Sequence, residues 1–168
     1  MCIRDSHLPA ISVSGIAYDS RKVKSGDLFL ATRGDQVDGR QFVNNVAGTA
    51  AAVLCESPYQ SVCGNDFEVR DLSAHKGVIA SRFYQEPSKS LKVIAVTGTN
   101  GKTSVSHYVA QALSLLQQPC GVVGTLGAGL NSDLEDVGMT TPDPVDLQRM
   151  LFEMRGKGAD AVLSLIHI

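Results

Sequence analysis

Residues 91–104 read Leu-Lys-Val-Ile-Ala-Val-Thr-Gly-Thr-Asn-Gly-Lys-Thr-Ser, an apolar run followed by a glycine-rich turn. A nearly continuous apolar run is typical of a parallel strand that is buried on both faces. After the turn, apolar residues recur at helical spacing as far as Gln117, and residues 120–123 form another apolar run. This order of strand, loop, helix and strand predicts an α/β fold with a parallel sheet.

The turn at residues 97–104 has the composition of a phosphate-binding loop. Glycines let successive backbone N–H groups point inward at phosphate oxygens, and the helix N-terminus adds a partial positive charge. Lys102 would neutralise the β- and γ-phosphates, and Thr103 is placed to offer its hydroxyl to Mg²⁺. The strict form of this motif has a glycine where this chain has Val96. An ordinary connector with a surface lysine is the alternative interpretation.

The chain before this loop also alternates strand-like and helical patterns, so the whole fold is predicted to be α/β. Strands are predicted at residues 11–18, 28–30, 52–55 and 67–69, and helices at 41–48 and 72–84. The polar segment at 85–90 contains a proline, which cannot continue a helix, and we expect a domain boundary there. Beyond the loop, Asp143 and Pro144 predict a helix start, and a last strand is predicted from Ala159.

Composition excludes several classes of protein. The chain has 168 residues, a net charge of −2 and 43% hydrophobic residues, which favours a folded globular protein over a disordered one. There is no basic cluster for nucleic acid and no apolar run of about 20 residues for a membrane span. The four cysteines lack metal-ligand spacing, and no secretory signal precedes them, so reduced thiols in the cytoplasm are expected.

Three separated groups of motifs resemble the Mur ligase family. The loop at 97–104 resembles the ATP loop of Mur ligases and of the related folylpolyglutamate synthases. Asp19-Ser20-Arg21, Gly26-Asp27-Leu28-Phe29 and residues 34–40 resemble the uridine-nucleotide domain of the Mur ligases that add the third residue or the terminal dipeptide, which folylpolyglutamate synthases lack. Gly124-Thr125-Leu126-Gly127 and residues 140–144 are similar to the third-residue ligases in particular.

The resemblance implies two domains and a reaction. Residues 7–88 would form a small mixed α/β domain that binds UDP-MurNAc, and residues 89–162 the first part of a P-loop ATPase domain with a parallel sheet. The implied enzyme is an ATP-dependent, Mg²⁺-requiring ligase that adds meso-diaminopimelate or L-lysine to UDP-MurNAc-L-Ala-D-Glu in peptidoglycan synthesis. The dipeptide carboxylate takes the γ-phosphate of ATP, and the amine of the amino acid then displaces phosphate from the acyl phosphate.

The resemblance also implies site residues. Lys102 and Thr103 would be catalytic, with Thr103 also a ligand of Mg²⁺. The implied ATP contacts are Gly98, Thr99, Asn100, Gly101, Lys102, Thr103 and Ser104. The implied contacts to UDP-MurNAc-dipeptide are Tyr18, Ser20, Asp35, Gln36 and Val37 for the uridine nucleotide, and Met139, Thr140 and Thr141 for the muramoyl part. Residues 140–143 are also a sound helix-start signal by themselves.

Two alternatives stay open at this point: a Mur ligase that adds the terminal dipeptide, and a non-catalytic module that binds a UDP-sugar. Residues 1–6 and 163–168 match nothing in the family's pattern and are expected to be foreign ends. The family's later motifs, including a glutamate for Mg²⁺ and a modified lysine, do not follow Val162. The chain by itself is therefore expected not to ligate. Its strand near Val162 is expected to be short of neighbouring strands, and poor solubility is expected as a result.

Overall fold

The computed structural model describes residues 10–34, 37–130, 133–135 and 142–165. The chain divides into two compact units between Lys76 and Gly77, inside the helix Leu72–Phe83. This division lies earlier in the chain than the domain boundary expected after residue 88, which stays a prediction.

The first unit is built on a parallel sheet of four strands in sequence order. Its strands are β1 (Gly15–Ala17), β2 (Asp27–Ala31), β3 (Ala52–Glu56) and β4 (Asp66–Val69). A 3-10 helix, Gly39–Phe42, leads into α1 (Val43–Val46), and α2 (Leu72–Phe83) follows β4. Phe29, Val43 and Val53 are almost completely buried in the core of this unit. The strand predicted at 11–18 is shorter than expected.

The second unit contains a mixed sheet of five strands in the order β5-β9-β6-β7-β8. Strands β5, β9 and β6 are parallel, whereas β7 and β8 continue the sheet as antiparallel strands. The strands are β5 (Lys92–Val96), β6 (Cys120–Gly124), β7 (Gly127–Leu130), β8 (Asp133–Glu135) and β9 (Ala161–Leu165). The helices are α3 (Lys102–Leu115) and α4 (Pro144–Gly156). As predicted, Asp143 caps α4, accepting a hydrogen bond from the Val145 amide at 2.9 Å.

Strand β9 lies at the centre of the second sheet, between β5 and β6. Alternate residues of β9 are buried in two separate clusters, Leu163 with Ala110 of α3 and Val162 with Met150 of α4. The expectation that the strand near Val162 is short of neighbouring strands is therefore wrong, because the chain returns from α4 into the middle of the sheet. Leu165, within the segment expected to be a foreign end, continues this strand and is 2% exposed.

Strand β5 is parallel, as predicted, but it is not buried. Among the described strands it pairs only with β9, so one of its edges has no neighbouring strand. Val93 is 45% exposed and Ile94 39% exposed. The sequence pattern is typical of a strand buried on both faces, but within the described part of the chain only Val96 of β5 is half-buried, packed against the cluster that contains Ala110 of α3, and the other four residues of the strand are exposed.

Cys55 and Cys120 are buried core residues, as predicted, and they and Cys63 are free thiols. Burial raises the pKa of the Cys55 thiol to about 11, which keeps the thiol protonated at neutral pH.

None of the helices in the described ranges is long and apolar enough to cross a membrane.

Candidate functional site

The glycine-rich loop joins the carboxyl end of β5 to α3. Its backbone depends on two glycines, because Gly98 has φ +145° and Gly101 has φ +79°, values that side chains with a Cβ rarely adopt. Gly101 is the N-cap of α3, and the first helical bond runs from the Val105 amide to the Gly101 carbonyl at 2.9 Å. The preceding amides of a helix have no partner within it, so the loop offers N–H donors to an anion.

A cavity of about 300 Å³ opens beside this loop. This volume is at the lower end of the range for small-molecule sites, about 300–1,000 Å³. The first turn of α3 contains no acidic residue that would repel a phosphate. The cavity is lined by Thr99, Asn100, Gly101, Lys102, Thr103, Ser104 and Thr125.

Lys102 and Thr103 are the first two residues of α3, and both are half-buried. The Lys102 ammonium donates a hydrogen bond to the carbonyl oxygen of Gly98, so the side chain reaches back along the loop. The buried Ser106 hydroxyl donates to the Thr103 carbonyl at 2.9 Å, which fixes the first turn of the helix. The structure thus places the predicted phosphate-binding residues around one cavity, apart from Gly98, which contacts Lys102.

The same cavity fits Mg²⁺ held jointly with a polyphosphate. Mg²⁺ usually keeps several waters and takes one or two protein ligands together with phosphate oxygens. The Thr103 hydroxyl, at the cavity wall, is a suitable single ligand of this kind. Within the described residues no group of three or more His, Cys, Asp or Glu side chains is placed to hold a metal by itself.

Thr125 also lines this cavity, although it lies outside the phosphate-loop motif and is not among the predicted site residues. It directly follows β6, whose carboxyl end lies at the same edge of the parallel sheet as the end of β5. Its position in the quoted motif Gly124-Thr125-Leu126-Gly127 was the available signal, together with the rule that parallel sheets bind ligands at their carboxyl edge.

A larger cavity, of about 380 Å³, lies at the opposite end of β5. Lys89, Lys92 and Asp160 are among its lining residues. It is at the amino end of the parallel strands, where ligand sites of α/β sheets are not usually found. We therefore assign the candidate site to the glycine-rich loop and not to the larger cavity.

In the first unit, the predicted uridine contacts follow the carboxyl ends of two adjacent parallel strands. Tyr18 directly follows β1, and Ser20 begins the 3-10 helix Ser20–Lys22. Asp19 caps this helix, and its carboxylate accepts a hydrogen bond from the Arg21 guanidinium at 2.7 Å. That hydrogen bond lowers the pKa of Asp19 to about 2. The ammonium of Lys76 lies 4.6 Å from the centre of the Tyr18 ring.

The segment that carries the remaining uridine contacts follows β2. The Gly34 amide donates to the Val37 carbonyl at 3.1 Å, which holds the two ends of this segment together. The carboxylate of Glu56 accepts a hydrogen bond from the Arg33 amide at 2.8 Å and so fixes the segment to the end of β3. Val37 itself is 53% exposed, and its side chain is accessible to a ligand.

Five predicted contacts lie outside the described residues. They are Asp35, Gln36, Met139, Thr140 and Thr141. Their predicted roles stay predictions.

Two family models match the chain, one in each part. The model described as the Mur ligase family, catalytic domain, matches residues 12–87. The model described as the Mur ligase middle domain matches residues 96–164. The second match includes the whole glycine-rich loop and both Thr125 and β6.

Curated proteins and solved structures agree with these matches. The UDP-N-acetylmuramoyl-L-alanyl-D-glutamate–2,6-diaminopimelate ligase of Ectopseudomonas mendocina is 48% identical over 157 residues, which cover 90% of this chain and 32% of that protein. A solved structure of a ligase with the same name has a TM-score of 0.76 and 34% identity, and the match covers 91% of this chain and 31% of that one.

A more distant solved structure is the UDP-N-acetylmuramoylalanyl-D-glutamyl-2,6-diaminopimelate–D-alanyl-D-alanyl ligase from Acinetobacter baumannii. It has a TM-score of 0.62 and 25% identity, and the match covers 95% of this chain and 32% of that one. The chain thus spans about a third of the length of the relatives it matches. The two Mur ligase models together match most of the sequence, residues 12–87 and 96–164, and the chain belongs to the Mur ligase family.

Proposed function

We propose that this chain forms the nucleotide-binding part of an ATP-dependent ligase that joins 2,6-diaminopimelate to UDP-MurNAc-L-Ala-D-Glu. The observation that carries the proposal is the cavity at the carboxyl end of β5, formed by the loop that the sequence identified as a phosphate-binding motif. The names of the relatives supply the substrate class, and they favour diaminopimelate over L-lysine as the added amino acid.

The reaction requires two anions to meet. A carboxylate oxygen of the UDP-linked dipeptide attacks the γ-phosphorus of ATP, and ADP leaves; the amine of the amino acid then attacks the acyl carbon, and phosphate leaves. Because both reactants are negatively charged, catalysis depends on neutralising charge and on in-line positioning.

The residues of the loop are suited to the ATP side of this reaction. The amides at the start of α3 would bind phosphate oxygens, and the Lys102 ammonium would exchange the Gly98 carbonyl for the β- and γ-phosphates. The Thr103 hydroxyl would hold Mg²⁺, which when bound neutralises charge on the transferred phosphoryl group.

The residues of the first unit are suited to the UDP side. Tyr18 and Ser20 follow β1, and the segment with Asp35, Gln36 and Val37 follows its parallel neighbour β2. Ligands of parallel sheets bind outside the carboxyl ends of the strands. We propose that the uridine nucleotide binds there, and that Met139, Thr140 and Thr141 contact the muramoyl part.

The ligation step is proposed for a protein of the relatives' full length, in the cytoplasm. From a chain that spans about a third of them, we expect nucleotide binding without ligation. Calorimetric titration of the purified chain with Mg-ATP, UDP-MurNAc-dipeptide and UDP-MurNAc-tripeptide tests the proposal. Saturable binding of ATP and a preference for the dipeptide are expected.

The other outcomes distinguish the alternatives. A preference for the tripeptide would support a ligase that adds the terminal dipeptide. Binding of the UDP compounds without ATP would support a non-catalytic UDP-sugar module, and binding of neither nucleotide would contradict all three assignments.

A further inference from the structure

We propose that the hydroxyl of Thr125 donates a hydrogen bond to the γ-phosphate of ATP, and that Thr125 thereby distinguishes ATP from ADP. The inference rests on the proposed function, because it assumes that the cavity beside the glycine-rich loop binds ATP. It adds to that function a residue that follows a different strand, β6, and lines the same cavity.

Thr125 is held in place by a tight hairpin. Strands β6 and β7 pair Gly124 directly with Gly127, so Thr125 and Leu126 are the two residues of the hairpin loop. A Cβ on Gly124 would meet the Leu165 side chain at 2.5 Å, and a Cβ on Gly127 would meet the Glu135 carbonyl oxygen at 2.5 Å. These close approaches fix both ends of the loop against β9 and β8, so Thr125 has a defined position.

The position of Thr125 in the sheet favours a contact with the terminal, γ-phosphate of ATP. Strand β9 lies between β5 and β6, so two strand spacings, about 10 Å, separate the glycine-rich loop from the end of β6. In phosphate-binding loops the backbone amides cradle the α- and β-phosphates, and the lysine reaches the β- and γ-phosphates. A group across the cavity from the loop is therefore expected to meet the phosphate that projects furthest from it.

The chemistry of Thr125 suits this role. Its hydroxyl is exposed at the cavity and takes part in no hydrogen bond within the described part of the chain. A hydroxyl can donate to a phosphate oxygen without adding a second positive charge beside Lys102. A hydrogen bond to a charged acceptor corresponds to about a tenfold change in affinity or more.

The test compares Thr125→Val, which removes the hydroxyl and keeps the shape, with Thr125→Ser, which keeps the hydroxyl. Dissociation constants for Mg-ATP and Mg-ADP are measured by calorimetry on the 168-residue chain. We expect Thr125→Val to weaken ATP binding about tenfold, with ADP binding unchanged and Thr125→Ser close to wild type. Unchanged ADP binding also shows that the variant is folded.

Each other result overturns the inference. An unchanged ratio of ATP affinity to ADP affinity in Thr125→Val would show that Thr125 does not contact the γ-phosphate. The proposed function would not be affected by that result. Equal weakening of both nucleotides would place Thr125 against the inner phosphates or in the fold of the loop. A wild-type chain that binds neither nucleotide would overturn the proposed function as well.

Discussion

The Lys102 ammonium donates a hydrogen bond to the carbonyl of Gly98, across the loop between β5 and α3. This contact folds the Lys102 side chain back over the loop, beside the N-terminus of α3. The ammonium would exchange this carbonyl oxygen for the β- and γ-phosphate oxygens when ATP binds, and a charged acceptor makes the stronger hydrogen bond.

Lys102→Ala is predicted to weaken binding of Mg-ATP by about tenfold to hundredfold, because one charge-assisted contact to phosphate is lost. Lys92→Ala is the matched control, since Lys92 is an exposed lysine in β5 that does not line this cavity. Calorimetric titration of both variants measures the effect. Equal loss in the two variants would indicate a general charge effect and contradict the assigned role of Lys102.

Gly101→Ala is predicted to destabilise the second unit by about 1 kcal/mol, because an L-residue is strained at φ +79°. A Cβ would meet nothing within 4 Å there, so the conformation and not a clash is the cause. Gly156→Ala, at the end of α4, also meets nothing within 4 Å, but it has no positive φ. That control is expected to be neutral or stabilising in denaturant unfolding; a destabilisation as large as that of Gly101→Ala would refute the conformational explanation.

Asp66→Asn is predicted to destabilise the first unit by about 2–4 kcal/mol. Asp66 begins β4 and is 5% exposed. Its carboxylate accepts hydrogen bonds from the Ser61 hydroxyl at 2.6 Å and from the Tyr59 hydroxyl at 2.7 Å. It also accepts from the Val62 amide at 2.8 Å, so one charge orders the loop between β3 and β4. Urea unfolding measures the loss.

The exposed Glu68 provides the control for Asp66. Its carboxylate accepts hydrogen bonds from Ser57 and the Tyr59 amide in the same loop, but it remains solvated. Glu68→Gln is expected to cost less than Asp66→Asn, since a solvated group exchanges these bonds for bonds to water. An equal cost for the two variants would show that burial of Asp66 is not what makes its hydrogen bonds important.

The stability of the first unit is also predicted to fall in acid through Asp66. Burial acts to raise the pKa of Asp66, but the hydrogen bonds from Ser61, Val62 and Tyr59 outweigh it and lower the pKa from 3.8 to about 2. A lowered pKa contributes stability above the unfolded value, and that contribution is lost as pH falls from about 4 toward about 2. The stability difference between wild type and Asp66→Asn should therefore narrow over this range. A difference that stays constant with pH would contradict the lowered pKa.

The parts of the fold that sequence predicted are those set by local pattern. The glycine-rich loop, α3 and the capped start of α4 follow from spacing, glycine and the Asp143–Pro144 pair, which act within a few residues. The neighbours of a strand depend on residues far away in the chain. The central position of β9 and the free edge of β5 among the described strands therefore do not follow from the local sequence pattern.

The candidate site, like the fold, can be predicted from sequence only where it is formed by residues that are close together in the chain. The loop residues are consecutive, so one motif identified nearly all of the cavity wall. Thr125 comes from another strand, and its place in the cavity depends on the order of strands in the sheet and on the β6–β7 hairpin. Neither can be obtained from spacing along the chain.

The free edge of β5 is predicted to drive self-association of this chain. Val93 and Ile94 are 45% and 39% exposed, on a strand with unpaired backbone groups along one side among the described strands. Val93→Lys should reduce association with little loss of stability, because its side chain already reaches solvent. Light scattering over a concentration series, with thermal unfolding of the same samples, measures both effects.

Val162→Lys is the contrasting variant, since Val162 is 0% exposed at the centre of the same sheet. A buried unpaired ammonium costs several kcal/mol, so this variant should unfold the second unit and increase aggregation. If Val93→Lys instead left association unchanged while the protein stayed folded, the contact between copies would lie elsewhere. The exposed apolar residues of α3, such as Leu115 at 86% exposure, would then be the next surface to change.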